Sequence, residues 1–378
     1  MTWLTEQLSG ATDVAQDAGW VDPPSRKGFF TDTSICIGCK ACEVACKEWN
    51  AVPMDGLGLS GNSYDNTGDL GASTWRHVAF VEQGQERIEA ARASGKALVD
   101  LGMPSIGAPA PQPARGGTPA GYGSLPAPVE DHGPALSDLL AAKGAQEGIT
   151  PSTNGGSPFG TTVDGQPKVG PLPEFRWLMA SDVCKHCTHA GCLDVCPTVA
   201  LFRTEFGTVV VQPDVCNGCG YCVGGCPFGV IGRRDESGVE DSRGSGAHDH
   251  VPNIGVAQKC TLCYDRLGHD QTPACAQTCP TTSIKFGDHD DMVASAQERV
   301  TQLHSQGFTE ARLYGANDQD GVGGTGSVFL LLDEPEVYGL PPDPVVPTAH
   351  LPEMFRKAGL AALGLIGAAA VSFVGARR

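Results

Sequence analysis

The stretch from Cys184 to Pro227 constrains this chain more than any other. It reads CKHCTHAGCLDVCP, then 18 residues, then CNGCGYCVGGCP. The spacing is C-x2-C-x4-C-x3-C-P followed by C-x2-C-x2-C-x3-C-P. Three close cysteines wrap one loop over three irons of a cubane, and the fourth iron is reached from across the fold. In paired runs of this kind the fourth Cys of each run ligates the other run's cluster. The expectation is that Cys184, Cys187, Cys192 and Cys226 hold one 4Fe–4S cluster. Cys216, Cys219, Cys222 and Cys196 then hold its neighbour.

Two further runs flank this block. The first is Cys36-Ile-Gly-Cys39-Lys-Ala-Cys42-Glu-Val-Ala-Cys46, which has Lys47 where the central runs have proline. It leads into a short helix through Cys46, Lys47, Glu48 and Trp49. Gly38 belongs in the turn of this run, as Gly218 and Gly220 do in the third, because glycine takes positive φ without strain and lets amides approach the sulfurs. The last run is Cys260-Thr-Leu-Cys263, eleven residues, then Cys275-Ala-Gln-Thr-Cys279-Pro280. The central runs satisfy each other, so the flanking runs are left as partners. The crossed rule gives Cys36, Cys39, Cys42 and Cys279 to one cluster, and Cys260, Cys263, Cys275 and Cys46 to another.

All 16 cysteines fall in these four groups of four. The expected fold is α+β, with one ferredoxin-like dicluster module nested inside another. Four complete sets of four leave no iron open to substrate, which favours electron transfer over catalysis. C-x2-C pairs also build zinc ribbons, and His186 and His189 lie within the second run. Third and fourth cysteines this close would crowd one tetrahedral ion, and Pro197, Pro227 and Pro280 complete the C-x3-C-P ending. A metal-stapled scaffold without a redox role is the reading from a different class. His186 and His189 are read as solvated loop residues. Lys40, Lys47, Lys185 and Lys259 stand beside ligands. They are read as surface or partner-facing lysines in preference to charges that raise local potentials.

The chain has 378 residues, a formal net charge of −17, 50 Gly and 28 Pro. The acidic balance argues against nucleic acid, which needs clustered Lys and Arg. Thiols must stay reduced while clusters are inserted, which points to assembly in the cytoplasm. Residues 1–25 show neither an apolar export segment nor a twin-arginine pair. No phosphate loop, serine nucleophile or paired carboxylates are legible, so no catalytic site is expected.

In order, residues 1–30 read as a loosely structured arm with Trp3 and Trp20 as isolated anchors. Residues 31–96 are the first part of the outer module. Residues 97–173 are a Pro/Gly-rich surface insertion, with 13 Pro and 14 Gly among the 73 residues from 101 to 173. One helical patch, 135–145, stands inside it. The inner module occupies 174–234, with a hairpin predicted over 201–203 and 208–211. The outer module resumes over 235–340, with an amphipathic helix from Asp290 to Gly307 and a buried strand from Ser327 to Leu332. Residues 341–357, with Pro341, Pro342, Pro344, Pro347 and Pro352, read as an extended linker.

Residues 358–376 carry no charge and are flanked by Arg356-Lys357 and Arg377-Arg378. As a helix they span about 28 Å, close to the ~30 Å hydrocarbon core of a bilayer. Gly364, Ala368, Ser372 and Ala376 recur every four residues, a spacing that permits close approach of membrane helices. One transmembrane helix docked on a partner's helices is expected.

The segments CIGCKACEVACKEWN (36–50), YDNTGDLGASTW (64–75), 184–228, KCTLCYDR (259–266), PACAQTCPTTSIKFG (273–287), GVGGTGSVFLLL (321–332) and YGLPPDP (338–344) resemble the iron–sulfur (beta) subunit of respiratory, membrane-bound formate dehydrogenase. The wider family includes electron-transfer subunits of other molybdopterin oxidoreductases and of some hydrogenases. The resemblance implies the same crossed ligation of four 4Fe–4S clusters. It implies a catalytic alpha subunit with a molybdenum or tungsten bis-pterin, and a haem-b gamma subunit that reduces quinone. It also implies export in the folded state with the alpha subunit, which places the body outside the cytoplasm and the C-terminus inside; the cytoplasmic face is the alternative. The chain departs from the family pattern in the insertion, which contains no ligand.

Overall fold

The computed structural model describes residues 14–53, 68–100, 162–163, 166–167, 175–234 and 251–375. The helical patch 135–145 and Trp3 lie outside them. Residues 1–108 and 173–378 make one compact unit, and 109–172 make another. Of the second unit only the antiparallel pair Thr162–Val163 with Gln166–Pro167 is described.

A four-stranded sheet draws together the two ends of the outer module. Its strands are Lys27–Asp32 (β1), Ile284–Asp288 (β2), Arg312–Tyr314 (β3) and Ser327–Leu331 (β4), in the spatial order β2-β1-β4-β3. β1 runs antiparallel to β2 and parallel to β4, with Phe29 opposite Phe286 and Phe30 opposite Val328. Successive side chains point to opposite faces, so one apolar run serves two cores. Phe30, Val328 and Leu330 meet Ala296, Val300 and Leu303 of helix His289–Ser305. Phe29, Phe329, Leu331 and Ile284 face the cysteines. The predicted helix and strand both form, with ends shifted by one or two residues.

The loosely structured arm needs correction over its described part. Lys27–Asp32 is an inner strand of the main sheet, because GFFTD offers side chains that both cores bury. Val14 and Ala15 are buried in helix Val14–Asp17, and the Trp20 indole donates to the Arg203 carbonyl at 2.9 Å. The chain lies on its own hairpin there. That hairpin, Leu201–Arg203 with Val209–Val211, forms as predicted and turns through Gly207 at φ +74°.

Strands Arg76–Gly84 and Phe175–Val183 pair antiparallel over nine residues, from Arg76 opposite Val183 to Gly84 opposite Phe175. The connection between them, residues 85–174, therefore leaves and returns at one end of a single ribbon. Lengthening such a loop adds only slowly to its closure entropy, so a long excursion there leaves the ribbon's register intact. Helix Gln85–Asp100 starts at the ribbon's end and is tied down by charge. Glu310, with no exposed surface, receives Arg176 at 2.9 Å and Arg92 at 3.3 Å, and buried Asp333 receives Gln83 at 2.6 Å and Arg87 at 3.1 Å.

Gly95 lies in that helix where a Cβ would stand 2.1 Å from the Thr309 carbonyl oxygen and 2.7 Å from the Glu310 Cα. Alanine gains about 1 kcal/mol of helix propensity over glycine. Overpacking against fixed backbone costs roughly 1–3 kcal/mol or more, and the clash wins. Gly95→Ala is expected to lower the unfolding midpoint in a thermal melt; an unchanged or raised midpoint would contradict the close approach.

The C-terminal helix runs from Leu351 to Gly375, so residues 351–357 of the predicted linker are helical. Pro352 falls in its first turn, where the missing N–H costs nothing. Lys357 pairs with Glu353 one turn earlier at 2.7 Å.

Candidate metal centres

Each cysteine run bends in the same way. The residue two after its first cysteine takes left-handed φ: Gly38 at +65°, His186 at +44°, Gly218 at +72° and Leu262 at +59°. Two are glycines, as expected. For His186 and Leu262 this conformation costs about 1–2 kcal/mol, so the surrounding structure imposes it. It turns the backbone amide inward: Gly218 N donates to Cys216 Sγ at 3.4 Å, and Leu262 N to Cys260 Sγ at 3.3 Å.

The ends of the runs differ for a covalent reason. Proline follows Cys196, Cys226 and Cys279, and the helices there are only Gly191–Asp194, Tyr221–Gly225 and Ala274–Gln277. Proline cannot continue the helix. Val199, Gly229 and Thr282, each three residues past the fourth cysteine, all take positive φ. Lys47 follows Cys46 instead, and helix Ala41–Asn50 runs on for ten residues.

All sixteen cysteines are free thiols, and two of the four expected sets line cavities. Cys36, Cys39, Cys42 and Cys279 line a cavity of about 300 Å³ (quartet A). Burial, then Cys260, Cys275 and Cys263, push the Cys46 thiol well above its ordinary value; these are its neighbours in the second expected set (quartet B). Cys184, Cys187, Cys192 and Cys226 line a cavity of about 360 Å³ (quartet C). Burial, then Cys216, Cys196 and Cys219, raise Cys222 to about 11 (quartet D).

Desolvation dominates elsewhere too, raising Cys42 to about 11 and Cys192 to about 12. Left as thiols, these groups stay protonated at neutral pH. Four thiolates together require a cation, which inverts that balance. Among the described residues no three His, Cys, Asp or Glu side chains converge at single-ion range.

The cations around the quartets point the same way. Lys185 and Lys259 are 1% and 2% exposed, so the surface reading fails for both. Lys185 donates to Asp182 and to the Val183 carbonyl, and lies over the rings of Phe228 and Phe329. Lys259 donates to the carbonyls of Val209 and Cys260 and has no carboxylate partner among the described residues. Both line the cavity of quartet C. Lys40 pairs with Glu43 at 3.5 Å, and Lys47 donates to the Ser73 carbonyl at 2.6 Å.

His186 is also buried, not solvated. Its Nδ1 accepts from the Val209 amide at 3.1 Å, and burial, then Lys259, Arg203 and Arg26, hold it well below the usual imidazole value. His189 is part-buried, beside Gly323. Lys259, a buried cation with no carboxylate partner among the described residues, fits a cavity meant for a net-negative group, as a 4Fe–4S cluster with four thiolates is.

The quartets abut in sequence. Helices Ala41–Asn50 and Ala274–Gln277 pack together between A and B. Burial and then Cys184 raise Cys260, joining B to C. Gly191 and Gly225 meet between C and D, where a Cβ on Gly191 would stand 2.5 Å from the Gly225 carbonyl oxygen. Only Cys39 of quartet A and Cys219 of quartet D are exposed.

Paired thiol quartets on crossed runs define a 4Fe–4S dicluster protein, and the family model for the 4Fe–4S dicluster domain matches residues 175–243 and 246–289. The chain is 31% identical to the formate dehydrogenase iron–sulfur subunit of Haemophilus influenzae over 83% of its own length and 68% of the relative's. It is 31% identical to the nitrate-inducible formate dehydrogenase iron–sulfur subunit of Escherichia coli, over 87% and 79% respectively. It is 40% identical to the thiosulfate reductase electron transfer subunit PhsB of Salmonella typhi, over 37% and 63%. The chain belongs to the family of formate dehydrogenase iron–sulfur subunits.

Proposed function

We propose that this chain is the non-catalytic electron-transfer subunit of a membrane-bound formate dehydrogenase. Its partners are a molybdopterin catalytic subunit that oxidises formate and a membrane cytochrome b that delivers electrons to quinone. The sixteen cysteines hold four 4Fe–4S clusters in the crossed sets A to D, and each cluster supplies a one-electron carrier. The observation that carries the reading is that Cys36, Cys39, Cys42 and Cys279 line one cavity and Cys184, Cys187, Cys192 and Cys226 another; Cys39 and Cys219 are the exposed cysteines.

The protein's own part is to fix sulfur positions, exclude water and supply buried positive charge. Quartet B is enclosed: Cys46, Cys260, Cys263 and Cys275 are all buried, whereas Cys184 alone is buried in quartet C. The ends carry apolar surface suited to partners. Ile37 and Val44 are exposed beside Cys39, and Val215, Tyr221 and Val223 beside Cys219. The root of the C-terminal helix supports a choice of membrane-facing end. Pro347 and Val346 would lie 3.3 Å from a Cβ on Gly191, and Thr348 donates to Asp194 at 2.7 Å, on the segment that carries Cys192 and Cys196. End D thus faces the membrane partner and end A the catalytic subunit. The body lies on the extracytoplasmic side, with the C-terminus inside.

The second reading, a wire serving another molybdopterin reductase, draws on the 40% identity to PhsB, which covers 37% of the chain. The formate relative of E. coli matches over 87%, well beyond the cysteine runs. Anaerobic purification of the complex tests the reading. About sixteen irons per chain, four for each of four clusters, and formate-dependent dye reduction are expected. A catalytic partner that ignores formate overturns the substrate, and stoichiometric zinc overturns the wire.

A further inference from the structure

Among the described residues Arg76 is the largest fully buried side chain, 1% exposed, at the start of the long ribbon. Its guanidinium stacks 4.8 Å from the Phe29 ring centroid. Nη1 donates to Ser181 Oγ at 3.0 Å, and that hydroxyl lies 3.2 Å from Cys42 Sγ, a ligand of quartet A. Nε and Nη2 are buried and have no hydrogen-bond partner. Arg76 has no carboxylate partner among the described residues either. The charges that act on it come from both outer quartets: Cys42 of A, and Cys275, Cys260 and Cys46 of B.

A buried guanidinium with two idle nitrogens, three N–H donors in all, and no counter-ion among the described residues is costly by itself. Here its complement is the two cluster sites on either side. Arginine stays charged under all relevant conditions, so it takes up no proton when an electron arrives. Adding one electron adds one negative charge beside a cation that is already in place, in a poorly screened interior. The reduced form gains more than the oxidised one.

We propose that Arg76 is a fixed cation shared by the two outer sites, a positioning residue that raises the reduction potentials of clusters A and B together. This rests on the four-cluster reading above. It goes further in assigning the tuning charge to a residue outside every cysteine run. Lysine is a poorer substitute, because it brings a single point charge without the planar guanidinium that stacks on Phe29 and donates to Ser181.

The test is an EPR-monitored redox titration of the purified complex, with iron content measured beside it. The wild-type complex first settles the parent reading, through its iron count and four reducible signals. In Arg76→Met with iron retained, two of the four midpoints are expected to fall and two to stay. At a fixed poise, the reduced-to-oxidised ratio of the affected pair should drop at least tenfold, which is about 59 mV for a one-electron couple. Arg76→Lys should recover most of the shift. Four unmoved midpoints, or four that move equally, overturn the proposal. Should the methionine variant lose iron, Arg76→Gln, which keeps donors without charge, carries the same reading. Loss of iron from the Met, Gln and Lys variants alike would make Arg76 a packing residue and overturn it too.

Discussion

A chain carrying Cys46→Ser is expected to lose the cluster of Cys260, Cys263 and Cys275, and to keep the cluster beside its own run. Cys42 and Cys46 stand four residues apart on helix Ala41–Asn50, and both are buried. Residues at that spacing share a helix face one above the other, so one helix presents sulfur to two neighbouring sites. Cys42 turns to Ser181 and Arg76, and Cys46 to Cys260, Cys275 and Cys263. Asn50 marks the same boundary, with its amide 3.7 Å from Cys46 Sγ and 3.8 Å from Cys263 Sγ. Iron should fall from about sixteen to about twelve per chain. The spectrum of Cys46→Ser should match that of Cys275→Ser, and that of Cys279→Ser should match Cys42→Ser. A Cys46 variant that instead resembles the Cys42 variant would refute the crossed sets. Dye reduction by the catalytic subunit should survive while formate-to-quinone activity is lost, because the break falls in the second quartet from that end.

Cysteine spacing carried most of the site. Two of the sets written from the runs alone line the two cavities, Cys36, Cys39, Cys42 and Cys279 in one and Cys184, Cys187, Cys192 and Cys226 in the other. Spacing works here because a cubane demands fixed sulfur positions, and short loops can meet that demand in few ways. The same logic found the turn glycines Gly38 and Gly218, but it could not find His186 and Leu262. These adopt the same left-handed turn against their own preference, since tertiary packing and not residue type selects it. The lysines were misjudged for a related reason. Sequence places Lys185 and Lys259 next to ligands in polar loops, and only the fold shows Phe228, Phe329 and backbone carbonyls enclosing them. Arg76 carried no signal beyond a cation at the start of the apolar strand RHVAFV. Its role depends on a contact between residues 76, 181 and 42 that no local pattern encodes. Lys27–Asp32 was likewise hidden, because both its partners, β2 and β4, lie more than 250 residues away in the chain.

Removing residues 351–378 is expected to convert the chain from one that resists carbonate extraction to one released into the soluble fraction, with its iron intact. The helix window Glu353–Phe373 has a mean hydropathy of 1.4, and none of it is buried in the protein. Leu360, Leu363, Leu365, Ile366, Val371 and Phe373 are each at least 63% exposed. Each such side chain gains roughly 1.5–3 kcal/mol on leaving water, and nothing in the chain itself covers them. The full helix, about 38 Å long at 1.5 Å per residue, is sufficient for the ~30 Å core with its charged first turns at the interface. Removing it should not disturb the clusters, because the body's contact with its root is made by Val346, Pro347 and Thr348, which the truncation keeps. Two observations bear on different links. A full-length chain that carbonate strips from membranes would refute the spanning helix. A truncated chain that loses the signals of quartets C and D would show instead that the helix supports the inner module, and would remove the reason for placing end D at the membrane.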